Sequence, residues 1–489
     1  MIARPPAVDV PAGTRIRLDP RTKPVAPGVL LGGTPRRLVR LTTAGMAAFD
    51  AALERGARGP AARRLARRLT DANVAQPVAA GDVTDASSVT VVVPARDRAG
   101  ALDRCLEALG KTSPVVVVDD GSDDPGAIAE TCARHGARLV RREVNGGPAA
   151  ARNTALAVVD TELVAFVDSD CVPPVEWVRR LAGHLADPAV GAVAPRIVVR
   201  PGTARSWWSA YASARSPLDM GRRAGRVLPM TAVGYVPTAA LLVRREAMGE
   251  GFDERLRFGE DVDLVWRMTE AGWRVRYEPA VEVEHTDPEG AWALLRRRFR
   301  YGTSAAPLAL RHPGSLAPVV LDPWPTATVV ALLARRPVLA IVALALATRR
   351  SIRQRRDAGA PASGALPATV TATFDTFLAL GRGAVQLAGP VVVVGAATRR
   401  GRPAVVALVA GPALVEWRRR RRAAGPGVDA VRFTLAHLAD EVAYGLGVWS
   451  GCVRARTLGP VVPRVTSRVM SPGRGRSAGL AGSARSRQR

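Results

Sequence analysis

Lysine is almost missing from this 489-residue chain: only Lys23 and Lys111 occur, although Lys and Arg together number 70 against 43 acids. The formal charge of +27 is therefore arginine charge. Such an excess suits nucleic acid, an anionic membrane surface or a phosphorylated substrate, and it also fits a general bias toward Ala, Arg, Val and Gly. Cysteine is scarce as well. Cys105, Cys132, Cys171 and Cys452 show no CxxC spacing, which argues against a zinc site or a disulfide framework and points to a reducing compartment. The N-terminus shows no apolar signal-peptide core. Apolar runs of about eighteen residues, the length of a spanning helix, are also lacking.

The length exceeds one compact core, and two to four domains are expected. Residues 1–85 read as a small winged-helix-like unit. Short strands around Arg15–Leu18, Val29–Gly33 and Arg37–Leu41 precede helical patterns over Thr43–Arg55 and Pro60–Leu69. Arg63, Arg64, Arg67 and Arg68 crowd the second helix, the pattern of a DNA-binding face. The unit also resembles winged-helix peptide-recognition domains of ribosomal-peptide maturation. An enzymatic core follows directly, and we expect no nucleic-acid partner. Residues 71–87 read as a polar linker.

From residue 86 to 302, strands and helices alternate, the signature of parallel βαβ units in a doubly wound sheet. Val89–Pro94, Val115–Val118 and Val164–Val167 are continuous apolar runs, as expected of strands covered on both faces. The last run stops at Asp168-Ser169-Asp170. Carboxylates at i and i+2 of an extended segment point the same way, so both can approach one divalent cation at the C-terminal sheet edge. On spacing alone, a strand followed by a polar turn fits equally well. Asp119-Asp120-Gly121-Ser122 ends another strand. It offers acceptors for a base N–H and ribose hydroxyls, or an ordinary turn and helix cap. Gly146-Gly147-Pro148 opens a helix whose free N–H groups can face phosphate, with Arg152 one turn in. Further on, Gly259-Glu260-Asp261 starts a helix, where acids also complement the helix dipole.

These motifs, in this order on successive strands, resemble the family 2 glycosyltransferases of the GT-A fold. The resemblance covers residues 89–300 and implies an α/β nucleotide-sugar-binding sheet with helices on both faces. It further implies a UDP-sugar donor and Mn²⁺ or Mg²⁺ held by Asp168, Asp170 and His285. Pro94, Arg96, Asp119, Asp120, Gly147, Arg152 and Asp168 would line the nucleotide-sugar site. Asp261 would be the base of an inverting transfer, with Glu260 shaping the acceptor site. Processive relatives carry Gln-x-x-Arg-Trp where this chain has Arg297-Arg298-Phe299-Arg300-Tyr301. Arg297 and Arg300 are thus candidates for acceptor or diphosphate contact, or for a solvated basic helix face.

Longer phrases, Asn145–Asn153, Val167–Pro173 and Val193–Arg196, are similar to the subfamily that adds glucose units to a peptide-derived redox cofactor of the mycofactocin type. The alternative is a membrane-associated transferase of lipid-linked or cell-wall glycans. Residues 303–460 read as a helical, partly apolar region whose short apolar runs are ringed by Arg, suiting helices on an anionic leaflet. The rival reading is a soluble helical appendage, and the expected location is the cytoplasmic face of the cell membrane, otherwise the cytoplasm. Residues 461–489, rich in Arg, Ser and Gly and without acids, read as a disordered tail.

Overall fold

The computed structural model describes residues 2–465, except 7, 82–87, 201–205, 287–289 and 426. The N-terminal unit contains β1 (Ile16–Leu18), β2 (Lys23–Ala26), β3 (Val29–Gly32), β4 (Arg37–Arg40), α1 (Thr43–Glu54), α2 (Pro60–Asp71) and β5 (Ala75–Pro77). Strands β2-β3-β4 form an antiparallel sheet, and β1 pairs with β5. Ile16, Leu30, Phe49 and Leu69 make its core. The stretch read as a polar linker contains β5, because Ala75 and Gln76 are buried beside β1. Two of the four arginines of α2 are tied to the protein, while Arg64 and Arg68 are exposed. Arg67 is ion-paired to Asp187 at 2.8 Å and donates to Val8 and Asp9 carbonyls, and Arg63 donates to the Val10 carbonyl.

The central unit runs through β6 (Val89–Ala95), α3 (Ala99–Leu109), β7 (Val115–Asp120), α4 (Pro125–His135), β8 (Arg138–Arg142), α5 (Pro148–Leu156) and β9 (Leu163–Val167). It continues with β10 (Cys171–Val172), α6 (Trp177–Ala182), β11 (Val190–Val199), α7 (Trp207–Ala214), β12 (Gly225–Val227), β13 (Ala240–Arg244), α8 (Glu260–Glu270) and β14 (Arg274–His285). One nine-stranded mixed sheet has the order β10-β14-β11-β13-β9-β6-β7-β8, with β12 paired to β14. Strands β6, β7, β8 and β9 are parallel, and β13 runs antiparallel to β9. Valine runs suit this sheet because β-branched side chains pack well on a pleat covered from both sides. Val91, Val93, Ala165 and Val167 turn toward Leu102, Leu106, Ile128 and Leu181. Val92, Val164 and Phe166 turn toward Ala149, Phe252, Leu264 and Met268. That alternation fixes the register and brings the C-terminal ends of β6, β7 and β9 to one edge.

Beyond the sheet lie α9 (Ala291–Thr303), α10 (Ala305–Arg311), β15 (Val320–Leu321), α11 (Pro323–Leu333), α12 (Pro337–Asp357), α13 (Ala365–Leu387), α14 (Gly389–Ala397), α15 (Arg402–Ala424), α16 (Ala430–Ala455) and β16 (Arg464–Val465). The boundary expected at residue 302 is not a gap between units, since His312, just after α10, bonds Asp263 of α8. Order also continues into the expected tail, where β16 pairs with β15; residues 466–489 lie outside the described residues. Helix α16 lies against α9 at backbone distance. A Cβ added to Gly447 would sit 2.0 Å from the Phe299 carbonyl oxygen, and one on Gly302 would sit 2.2 Å from that of Tyr444. Among the described residues no single helix is long and apolar enough to cross a membrane, but residues 362–387 and 389–397, bent by 100°, reach that length together.

Candidate active site

The sheet edge opens into a cavity of about 1050 Å³. Pro94 of β6 and Arg96 just after it, Asp120 of β7, Gly147 and Arg152 of the α5 start, and Asp168 and Asp170 after β9 all line it. Glu260, Asp261, His285 and Arg297 line it as well. Of the residues expected at the site, Asp119 and Arg300 are not part of this lining. Asp119 is fully buried, accepting from Ser122 N at 3.0 Å and pairing with Arg141. Arg300 places its guanidinium 5.9 Å over the Phe258 ring.

Asp120 organises the glycine loop. Its two oxygens accept from Gly146 N at 2.9 Å and Gly147 N at 2.7 Å, and Arg142 pairs with it at 2.9 Å. Gly147 has φ +90, a conformation open to glycine, and a Cβ there would stand 3.3 Å from an Arg257 Nη. The turn thus brings the start of α5, with Gly147, Pro148, Ala151 and Arg152, to the cavity wall.

Arg152 is the centre of the site. It is 2% exposed and donates to Asp168 at 2.7 Å and Glu260 at 3.1 Å, with its guanidinium 5.4 Å over the Phe252 ring. One arginine therefore ties the acid at the end of β9 to the acid that opens α8. Burial, then the neighbouring Asp261 charge, pushes the Glu260 carboxyl up to about 7. Burial likewise holds Asp261 above the usual carboxylate range, although its oxygen accepts from Val262 N at 2.8 Å. A carboxylate raised in this way is a stronger base than one in free solution.

Asp170 faces His285 at 3.5 Å and Arg98 at 3.7 Å, and burial raises its pKa. The pairing of Cys171 with His285 across β10 and β14 sets this approach. Asp168, by contrast, is engaged by Arg152, and among the described residues no three His, Cys, Asp or Glu side chains converge as a metal-holding group. The donor types, two carboxylates and an imidazole, fit Mn²⁺ or Mg²⁺ with the remaining positions left to a diphosphate.

Among the lining residues not expected from sequence are Arg382 of α13 and Tyr444 of α16. No local motif marks them, because each reaches the cavity only through helix packing.

Residues 90–252 match the glycosyl transferase family 2 sequence profile, which stops short of Glu260 and Asp261. The chain belongs to that family and is a glycosyltransferase. Over 94% of its length it is 36% identical to the pre-mycofactocin glycosyltransferase of Mycobacterium tuberculosis (strain ATCC 25618 / H37Rv), covering 99% of that protein. Similarity to glycosyltransferase AglE of Haloferax volcanii is 27% over 44% of this chain and 71% of that protein. Among solved structures, a mannosyltransferase of Pyrobaculum calidifontis in complex with GDP-Man and Mn²⁺ aligns with 68% of this chain and 89% of its own, at 21% identity and TM-score 0.38.

Proposed function

We propose that the chain transfers a hexose, glucose in this reading, from a UDP-sugar to a peptide-derived redox cofactor of the mycofactocin type, with inversion. The observation that carries this is a single cavity wall on which Asp168, Asp170 and His285 share space with Glu260 and Asp261, linked through Arg152. The acceptor assignment is supported by identity to the pre-mycofactocin enzyme along nearly the whole chain.

In this mechanism Asp261 takes the proton of the attacking acceptor hydroxyl. The acceptor oxygen then bonds to the anomeric carbon while the bond from that carbon to the diphosphate oxygen breaks, and its electron pair leaves with UDP. Arg152 holds Asp168 and Glu260 in register, keeping the two halves of the site at fixed separation. The α5 N-terminus, with Gly147 N–H drawn toward Asp120, presents positive dipole to the diphosphate side. Mn²⁺ or Mg²⁺ held by Asp170, His285 and Asp168 would neutralise developing charge on the diphosphate. The test is mass spectrometry of products from labelled UDP-glucose and pre-mycofactocin; no mass increase of one hexose overturns the reading.

A second reading, transfer to lipid-linked glycan at the cytoplasmic face of a membrane, is favoured by the bent pair of apolar segments at residues 362–397. Exposed Val338, Ile341, Val391 and Val393, bordered in sequence by Arg335, Arg336, Arg399 and Arg400, suit an anionic leaflet. Supplying undecaprenyl phosphate and pre-mycofactocin in parallel reactions separates the acceptors, and flotation with anionic or zwitterionic vesicles tests the membrane.

A further inference from the structure

The cavity is not closed by the family 2 core alone. Among the described residues its lining runs from Pro94 to Tyr444 and includes none of the N-terminal unit. That unit is docked at the far end of β14, where Arg276 donates to Gln76 at 2.6 Å and Arg274 pairs with Asp71 at 3.1 Å. His285, at the cavity, is the other end of the same twelve-residue strand. An acceptor in the cavity is therefore met by the C-terminal helices, not by the N-terminal unit.

Two side chains from those helices present polar groups to the cavity. Among the described residues, neither the Arg382 guanidinium nor the Tyr444 hydroxyl has a protein hydrogen-bond partner or ion pair. Arg382 is exposed at the mouth. Tyr444 is half-buried and held in place from behind: the Arg298 guanidinium lies 5.0 Å from its ring centroid, and Arg298 is paired with Asp440 at 2.5 Å. Asp440 also accepts from Tyr211, and Arg215 of the core pairs with Glu441 at 2.5 Å. The backbone-to-backbone seating of α16 on α9, the helix that carries Arg298, fixes it further. A positioned hydroxyl beside a cation that feels the Glu441 charge but makes no close ion pair is a built hydrogen-bonding corner.

We infer that Arg382 and Tyr444 form an acceptor subsite, binding an oxygen-rich, anionic or strongly hydrogen-bond-accepting group of the acceptor on the side of the cavity away from the sheet edge. This rests on reading the cavity as the transferase site. The same chemistry would also recognise the donor diphosphate, and the experiment separates the two sources.

The test uses the full chain with Arg382→Gln and Tyr444→Phe, both mild enough to keep the helices folded. Steady-state transfer is measured with UDP-glucose and pre-mycofactocin, or with undecaprenyl phosphate if that is what the wild type glycosylates, and UDP binding is followed by calorimetry. Loss of a charge-assisted hydrogen bond predicts an acceptor KM raised about tenfold for Arg382→Gln and severalfold for Tyr444→Phe, with UDP affinity held. Weakened UDP binding assigns the pair to the donor and overturns the inference, as does an acceptor KM within twofold of wild type in both variants. A wild type that glycosylates only the lipid phosphate overturns the peptide-cofactor reading instead, since the subsite is scored on the ratio of variant to wild type.

Discussion

Replacing Asp261 with Asn separates the proposed base from everything else that residue does. The Asp261 oxygen accepts one backbone hydrogen bond, from Val262 N at 2.8 Å, and an amide oxygen can accept the same bond. The start of α8 should therefore survive, and with it donor binding. Losing a general base typically costs about 10²–10⁴ in rate, which is about 3–5 kcal/mol of barrier. Stability should move the other way. The carboxyl is held above its usual range by burial, so its ionised form is disfavoured in the fold. A group raised in this way contributes stability below its unfolded pKa, and that contribution is lost as pH rises through the folded value. The neutral amide escapes the loss, and at pH 8 Asp261→Asn should melt at or above wild type. In wild type, transfer should fall as pH drops through a midpoint above the usual carboxylate range, because the base must be unprotonated. Product formation, UDP calorimetry and thermal melting on one preparation give all three readouts. Turnover within tenfold of wild type at pH 8, with UDP binding intact, refutes the assignment.

Arg152→Met should strand Glu260 in the interior. Breaking a buried pair costs about 3–5 kcal/mol, and the lower end applies because the Asp168 side chain is 32% exposed. Urea midpoints should show a large deficit at pH 8 that shrinks at pH 5, where Glu260, with its pKa near 7, is protonated; an equal deficit at both would point to lost packing instead. Asp170→Ala should abolish the Mn²⁺-dependent part of UDP binding in calorimetry, and unchanged enhancement by Mn²⁺ would remove the metal role. Gly447→Ala forces a methyl to within 2.0 Å of the Phe299 carbonyl and should cost about 1–3 kcal/mol, seen as a lower melting temperature. An unchanged melt would mean that α16 is not clamped on α9.

The sheet edge was readable because its signals are local. Val164–Val167 followed by Asp168 and Asp170 needs only strand periodicity and one intervening residue to be placed. The same holds for Asp120 and for Gly147, whose partnership across the edge then appeared as hydrogen bonds. Long-range packing was not readable. β5 is three residues whose partner lies about sixty residues earlier in the chain. β14 looks like two pieces in sequence, and only its pairing with β11 across a register shift makes it one strand. α13 hides behind Thr, Pro and Gly, and Arg382 belongs to the cavity only because α13 packs beside α16. The role of Arg152 was half visible: its place near phosphate followed from helix position, but its bridge between Asp168 and Glu260 depends on how α5 meets α8.

The length of β14 bears on how the enzyme can be divided. Trimming the protein to its family 2 core would leave Arg276, already held down to about 10 by burial, without the Gln76 oxygen it donates to. The Trp273 indole would lose the Ala3 carbonyl at the same stroke. An excised core would thus begin its last long strand with orphaned donors and end it at His285. Whatever the N-terminal appendage does for substrate, it has become part of the scaffold that keeps His285 in register.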